Sequence, residues 1–188
     1  MGVSTGAAVL AAGAGSRFTD GPKLLASVRG TPLVRLAVDH AVEAGVGPVA
    51  VITGGVDLVA AIEGSGAEVV HNPEWRHGIA TSLTAALRWA TARDLEAVLV
   101  GLGDQPGVLP EAWRAVAAVD DEQIAVATYA GRRGHPVRLP RSTWRLLPST
   151  GDIGARELLG RFPARITEVA CTGSSDDVDT VEDLRRWS

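Results

Sequence analysis

Arg17 and Lys23 lie at the end of, and just beyond, a stretch poor in side chains, Leu10-Ala11-Ala12-Gly13-Ala14-Gly15-Ser16. Small residues let backbone N–H groups approach an anion closely, and two cations offset its charge. The chemistry this suits is phosphate binding. The same residues also suit an ordinary glycine-rich turn between a strand and a helix. Two familiar phosphate motifs do not fit. A dinucleotide fingerprint needs a third glycine where Phe18 stands. A Walker A loop needs Gly-Lys-Ser/Thr, whereas Lys23 lies between Pro22 and Leu24.

Carboxylates form the second group. Asp104 sits in Gly103-Asp104-Gln105-Pro106, directly after a strongly apolar run. Magnesium favours one or two carboxylates together with substrate phosphates and water, so Asp104 is a candidate ligand as well as a candidate turn residue. A second carboxylate is available in Asp176-Asp177-Val178-Asp179. There, Asp179 also fits a helix N-cap with Glu182 completing a capping box. In Asn72–Leu83, Gly78 leads into a helix whose first turn holds Thr81 and Ser82. Hydroxyls there either cap the helix or meet a ligand, and Trp75 reads as packing. Arg132 and Arg133 beside Gly134-His135-Pro136 offer a place for another anionic group. His135 reads as a substrate contact or a structural residue, since nothing near it in sequence supports a general base. His40 reads as structural, and His71 and His77 are not spaced as a metal pair. The single cysteine, Cys171, reads as a packed small residue.

The elements that must carry these residues follow from periodicity. Short apolar runs without alternation predict strands covered on both faces at Gly6–Ala11, Val49–Thr53, Ala67–His71, Ala97–Leu102, Ile124–Tyr129 and Ile166–Val169. Helical spacing predicts helices at Pro32–Ala44, Val56–Glu63, Ile79–Ala92, Pro110–Ala118, Ile153–Gly160 and Thr180–Trp187. Thr31 is expected to cap the first of these, and Asp152 and Asp179 the last two. Strands alternating with helices imply an α/β fold of three layers around a mainly parallel sheet, in one domain spanning 1–188. Ligands of such sheets bind beyond the carboxyl ends of the strands. The loops expected to matter are therefore 11–23, 53–56, 71–80, 102–110, 130–137 and 170–180.

Composition narrows the function. A net charge of −4 gives no sign of nucleic-acid or membrane-surface binding. No apolar run approaches the roughly 20 residues of a membrane span, and no basic flank precedes the first apolar run. The expected location is the cytoplasm.

Taken together, Leu10-Ala11-Ala12-Gly13 with Gly15-Ser16-Arg17-Phe18, Pro22-Lys23-Leu24-Leu25, Asn72-Pro73 with Trp75, Gly78 and Ser82-Leu83, Gly103-Asp104-Gln105-Pro106, Gly134-His135-Pro136, Gly151-Asp152 with Gly154-Ala155-Arg156, and Asp177-Val178-Asp179-Thr180 with Glu182-Asp183-Leu184 resemble the MobA-like nucleotidyltransferases. Within them the chain looks closest to the molybdenum cofactor cytidylyltransferase branch, the MocA type. The resemblance runs almost end to end with the motifs in order. It implies a Rossmann-like nucleotidyltransferase fold and a Mg²⁺-dependent transfer of CMP from CTP to molybdopterin, with pyrophosphate released. It also implies a client molybdoenzyme or its chaperone as a partner. Carried over by position, Leu10, Ala11, Ala12 and Gly13, with Gly15, would hold the nucleotide through main-chain contacts. Arg17 and Lys23 would bind the triphosphate, and Gly78 and Ser82 would help read the base. Asp104 and Asp179 would hold the magnesium, and His135 and Pro136 would face the acceptor. Family members often carry glycine directly after the Arg-aromatic pair, where this chain has Thr19-Asp20-Gly21. Two other readings remain at this stage: a nucleotidyltransferase using GTP or another triphosphate on a different phosphorylated small molecule, and a non-catalytic protein that binds the cofactor or a nucleotide.

Overall fold

The uninterrupted apolar runs become the centre of a sheet. In the computed structural model, which describes residues 4–13, 15, 18–119, 122–151, 160 and 166–187, β1 (Thr5–Ala11) is followed by a small hairpin, β2 (Ser27–Val28) and β3 (Thr31–Pro32). Then come β4 (Val49–Thr53), β5 (Glu68–His71), β6 (Ala97–Leu102), β7 (Ile124–Tyr129), β8 (Arg132–Pro140) and β9 (Ile166–Ala170). The helices are α1 (Leu33–Glu43), α2 (Val59–Ile62), α3 (Ile79–Thr91), α4 (Pro110–Ala117) and α5 (Val181–Trp187). Seven strands form one sheet in the order β5-β4-β1-β6-β8-β7-β9. All run parallel except β8, which is antiparallel to both β6 and β7. This is the mixed, mainly parallel α/β sheet that the alternating pattern predicts.

Alternation along each strand divides the core. Ala7, Val9 and Ala11 of β1 face Val34, Ala37 and Val38 of α1 in a cluster that also takes in Trp113 and Val116 of α4. Ala8 and Leu10 face the other way, with Leu83, Ala86 and Trp89 of α3. Val34 and Val38 are fully buried, a transfer worth about 1.5–3 kcal/mol for each side chain. Gly101 in β6 leaves room for an aromatic ring, since a Cβ there would lie 2.6 Å from the Trp113 indole. A third cluster, Phe18, Val28, Leu33 and Val178, packs α5 through Val181, Leu184 and Trp187.

Four expectations change. The predicted 130–137 loop is largely strand β8, turned by Ala130 and Gly131, whose φ angles of 49° and 76° make the mirror-image turn that suits a twisted hairpin. Thr31 and Pro32 belong to β3, so α1 begins at Leu33 with no side-chain cap. The Val56–Glu63 helix shrinks to α2, because the Asp57 carboxylate accepts the Val59 N–H at 3.0 Å in a local turn. The cap of α5 is shifted by one residue. The Asp183 carboxylate accepts the Thr180 N–H at 3.0 Å, and Thr180 Oγ1 accepts the Asp183 N–H at 3.1 Å. Thr180 and Asp183, not Asp179 and Glu182, therefore make the capping box. The expected Ile153–Gly160 helix and its Asp152 cap lie outside the described residues, apart from Gly160.

Candidate active site

The single antiparallel strand brings the start of β8 to the same edge as the carboxyl ends of its neighbours. At that edge the loops are joined through main chain. Gly55 N–H donates to Ala12 O at 3.1 Å, Gly103 N–H to Leu10 O at 2.9 Å, and Val178 N–H to Asp104 O at 3.0 Å. The exits of β1, β4 and β6 and the approach to α5 are thereby held as one rim.

Lys23 is placed from two directions. Pro22 enters a short 3₁₀ turn, Lys23–Leu25, and Leu24 is buried beside Ala11 in the core. Gly15 has φ +62°, and a Cβ on it would come within 2.8 Å of Lys23 Cβ. Glycine there meets both needs, the left-handed backbone and the passage of the lysine side chain. Lys23 Nζ donates to Asp104 Oδ2 at 2.6 Å and to Asp179 Oδ1 at 3.0 Å. The ammonium side chain keeps 10% of its exposure. Burial works to strip its proton, but the Asp104 charge, the bonds to Asp104 and Asp179 and the Asp179 charge outweigh it, so its pKa rises above the ordinary lysine value. Gln105 Nε2 holds the adjacent acidic loop, donating to Ser175 O at 2.9 Å and to Asp177 Oδ1 at 2.8 Å. Burial and the Asp104 charge push the Asp177 carboxyl up, against the Gln105 bond that favours its anion.

Two carboxylates converging on one cation fit a divalent metal that takes hard oxygen donors. Asp104 and Asp179 supply them, and magnesium completes its shell with phosphates and water. Among the described residues no cluster of three or more such ligands occurs.

A cleft of ≈430 Å³ opens beside Asp104, lined by Leu10, Ala12, Gly13, Gly15, Trp75, Arg76, Gly78, Ile79, Ser82 and Leu102. Its wall is fixed by Asn72, which is buried. Asn72 Nδ2 donates to Thr81 Oγ1 at 2.9 Å and to Ser82 Oγ at 3.1 Å, while its Oδ1 accepts the Glu74 N–H at 3.0 Å. Ser82 keeps its own proton to donate. A larger cavity of ≈620 Å³ lies beyond this wall, against β5 and the other side of α3, lined by Thr81 but by none of the residues the resemblance assigns.

On the other flank, Tyr129 O–H donates to His135 O at 2.7 Å. His135 Nδ1 is enclosed with no partner among the described residues. Burial lowers the imidazole pKa to about 4, against the Asp104 charge. His135 is therefore neutral at pH 7, which suits a hydrogen-bonding contact rather than a base. Pro136 is buried behind it.

The structure thus gathers Leu10, Ala12, Gly13, Gly15, Gly78, Ser82 and Asp104 around one cleft, and joins Lys23 and Asp179 to it. Ala11 turns its side chain into the core and does not line the cleft. Arg17 lies outside the described residues. The sequence reading gave no role to Arg76, Ile79 and Gln105, and placed Asp177 only within a run offering a second carboxylate. The spacing Gln105-Pro106 after Asp104 was visible, but its partner Asp177 is 72 residues away. His40 is structural as expected, its Nδ1 3.1 Å from Val108 O. Cys171 is also as expected, its thiol donating to Val169 O at 3.3 Å and pushed up in pKa by burial.

The sequence pattern of the MobA-like NTP transferase domain matches residues 7–166. The chain belongs to the MobA-like NTP transferase family. A curated relative, the nicotine blue oxidoreductase of Paenarthrobacter nicotinovorans, is 33% identical, with 95% of this chain and 93% of that protein covered. The crystal structure of Rv0371c from Mycobacterium tuberculosis superposes with a TM-score of 0.85 at 31% identity, covering 100% of this chain and 98% of that one. The same protein has also been solved in complex with manganese. A nucleotidyl transferase from Methanothermobacter, Mth528, gives a TM-score of 0.83 at 25% identity, covering 97% and 95%. This MobA-like chain shares its fold with Rv0371c and with the Mth528 nucleotidyl transferase, and its candidate site sits at the strand ends. Among the described residues, no helix of this family member is long and apolar enough to cross a membrane.

Proposed function

We propose that this protein, as a single domain over 1–188, transfers CMP from CTP to the phosphate of molybdopterin and releases pyrophosphate. The observation that carries the reading is the Lys23 ammonium bridging Asp104 and Asp179 at the foot of a cleft walled by glycine-rich main chain. Phosphoryl chemistry asks the protein mainly for positioning and charge neutralisation. An oxygen of the acceptor phosphate forms a bond to the α-phosphorus. The bond from that phosphorus to the bridging oxygen breaks, and pyrophosphate leaves with the electron pair. Main chain at Leu10–Gly13 and Gly78, with Ser82, would hold the nucleoside. Lys23 would turn from the carboxylates to the phosphates, which Arg17 would also bind. Asp104 and Asp179 would hold Mg²⁺, which when bound supplies Lewis-acid charge neutralisation to the phosphates. Neutral His135, with Pro136 behind it, would donate or accept a hydrogen bond on the acceptor side. Support for a divalent metal comes from the hard-oxygen pair and from the manganese complex of the 31% identical Rv0371c. Support for CTP is the Ala11-Ala12-Gly13 resemblance to the cytidylyl branch.

Pyrophosphate release from CTP, GTP, ATP and UTP, each with Mg²⁺ and molybdopterin, tests the reading. CTP is expected to lead, and GTP or another triphosphate in its place would reassign the base. Near wild-type turnover by a folded Asp104→Ala protein would overturn the site. The name of the 33% identical relative raises a second reading, a redox reaction in the same cleft. Oxidation of NADH or NADPH by the protein in the presence of nicotine blue, with no pyrophosphate release from any triphosphate, would favour it.

A further inference from the structure

Trp75 does not merely pack. A Cβ on Gly55 would lie 2.8 Å from Trp75 Cη2 and 2.9 Å from Cζ2, and one on Gly54 would lie 2.7 Å from both Trp75 Cβ and Ala12 O. The indole therefore lies against bare backbone of the loop after β4, and that loop is tied to the β1 exit through the Gly55–Ala12 bond. On this ring stands Arg76, its Cζ 4.4 Å from the ring centroid. The other stacked arginines among the described residues are each neutralised: Arg93 over Trp89 pairs with Glu68, and Arg141 over Trp144 pairs with Glu96. Among the described residues Arg76 has no carboxylate partner, and it borders the cleft.

We propose that Arg76 binds the nucleotide by stacking its guanidinium plane on the base. The inference rests on the nucleotide-transfer reading above and assigns part of that cleft. Lys23 marks the phosphate position by its charge, with Gly15 against its side chain and Asp104 paired to it. Arg76 lines the same cleft as Leu10, Ile79 and Leu102, apolar side chains that suit a flat ring and have nothing to offer a phosphate. Ile79 is exposed at the start of α3, as a side chain awaiting such a partner would be. A guanidinium is planar, weakly hydrated and able to stack on two faces at once, and here the indole occupies only one of them. Stacking on a π-face tolerates every base. Arg76 thus supplies affinity, and the choice of base falls to the main chain and Ser82.

The test is calorimetric titration of the full chain in Mg²⁺ with CTP, GTP, ATP, UTP and inorganic tripolyphosphate, for wild type, Arg76→Ala and Arg76→Lys. Arg76 is exposed, and matching thermal melts confirm that each variant folds. Arg76→Ala is expected to weaken every nucleotide the wild type binds by roughly tenfold or more. Arg76→Lys is expected not to restore it, because an ammonium cannot stack, and tripolyphosphate binding stays unchanged. Equal nucleotide binding by Arg76→Ala overturns the proposal. So does a parallel loss of tripolyphosphate rescued by Arg76→Lys, which would make Arg76 a charge on the phosphates. A wild-type protein that binds none of the four nucleotides overturns the transferase reading itself, a result distinct from either.

Discussion

Replacing Lys23 by Met removes one ammonium and leaves Asp104 facing Asp179, with Asp177 close by. Breaking a buried ion pair by deleting one partner costs about 3–5 kcal/mol. Asp104 and Asp179 keep 20% and 27% of their side-chain exposure, and solvent screening reduces the figure to about 2 kcal/mol. For a chain of this size that lowers the melting temperature by about 4–8 °C. The assay is thermal melting at pH 7.5 in low salt with a chelator. Adding Mg²⁺ then separates two arrangements. In the wild type a metal ion has to displace the ammonium, whereas in Lys23→Met the carboxylate pair is open to it. Mg²⁺ at 100 times its dissociation constant contributes about 2.7 kcal/mol, so the variant recovers its whole loss while the wild type moves less. A Lys23→Met protein that melts with the wild type, and that Mg²⁺ shifts by the same amount, would refute the idea that lysine and metal compete for one position.

Three further outcomes are expected. Asp104→Ala lowers pyrophosphate release by roughly 10²–10³ without changing the circular dichroism spectrum; a smaller loss places the metal elsewhere. His135 is neutral in the fold with its pKa at about 4 against an ordinary 6.5. Above pH 6.5 folded and unfolded chains are both neutral and nothing changes. As pH falls towards 4 only the unfolded chain takes the proton, and up to about 3 kcal/mol of stability is lost. Urea midpoints at pH 7 and 4.5 show this as a drop that His135→Asn makes smaller, and an equal drop in both proteins would contradict it. Gly101→Ala drives a methyl into the Trp113 ring and costs about 1–3 kcal/mol by chemical denaturation; unchanged stability would mean the ring is free to move.

The central parallel strands β1, β4 and β6, with β7, were legible because they are buried on both faces, which demands continuous apolar runs such as Ala97–Val100, whereas the edge strands β5 and β9 are half-buried or exposed and were expected to be covered. Strand β8 was not, because Arg132-Arg133-Gly134-His135-Pro136 has the composition of a turn. Its pairing partners, β6 and β7, supply what its own residues do not announce. The α5 cap shows a different limit. Asp179–Glu182 and Thr180–Asp183 share one spacing, and only tertiary structure decides between them, since Lys23 recruits Asp179 from 156 residues away. Each carboxylate was visible as a candidate, but their convergence on one ammonium was not. Arg76 left no signal, because its role depends on Gly54 and Gly55 lying under Trp75, and a glycine pair in a loop has no preferred partner in sequence.

The reversed strand has a consequence for how such a protein can diversify. Because β8 returns through a two-residue turn at Ala130-Gly131, the flank carrying His135 is reached by a hairpin and not by a crossover helix. Residues can be added or removed at that tip without shifting β1, β4 or β6, which hold the glycine-rich loop and Asp104. On the proposed reading, what receives the nucleotide is then free to drift between descendants while the half that holds the nucleotide is inherited intact.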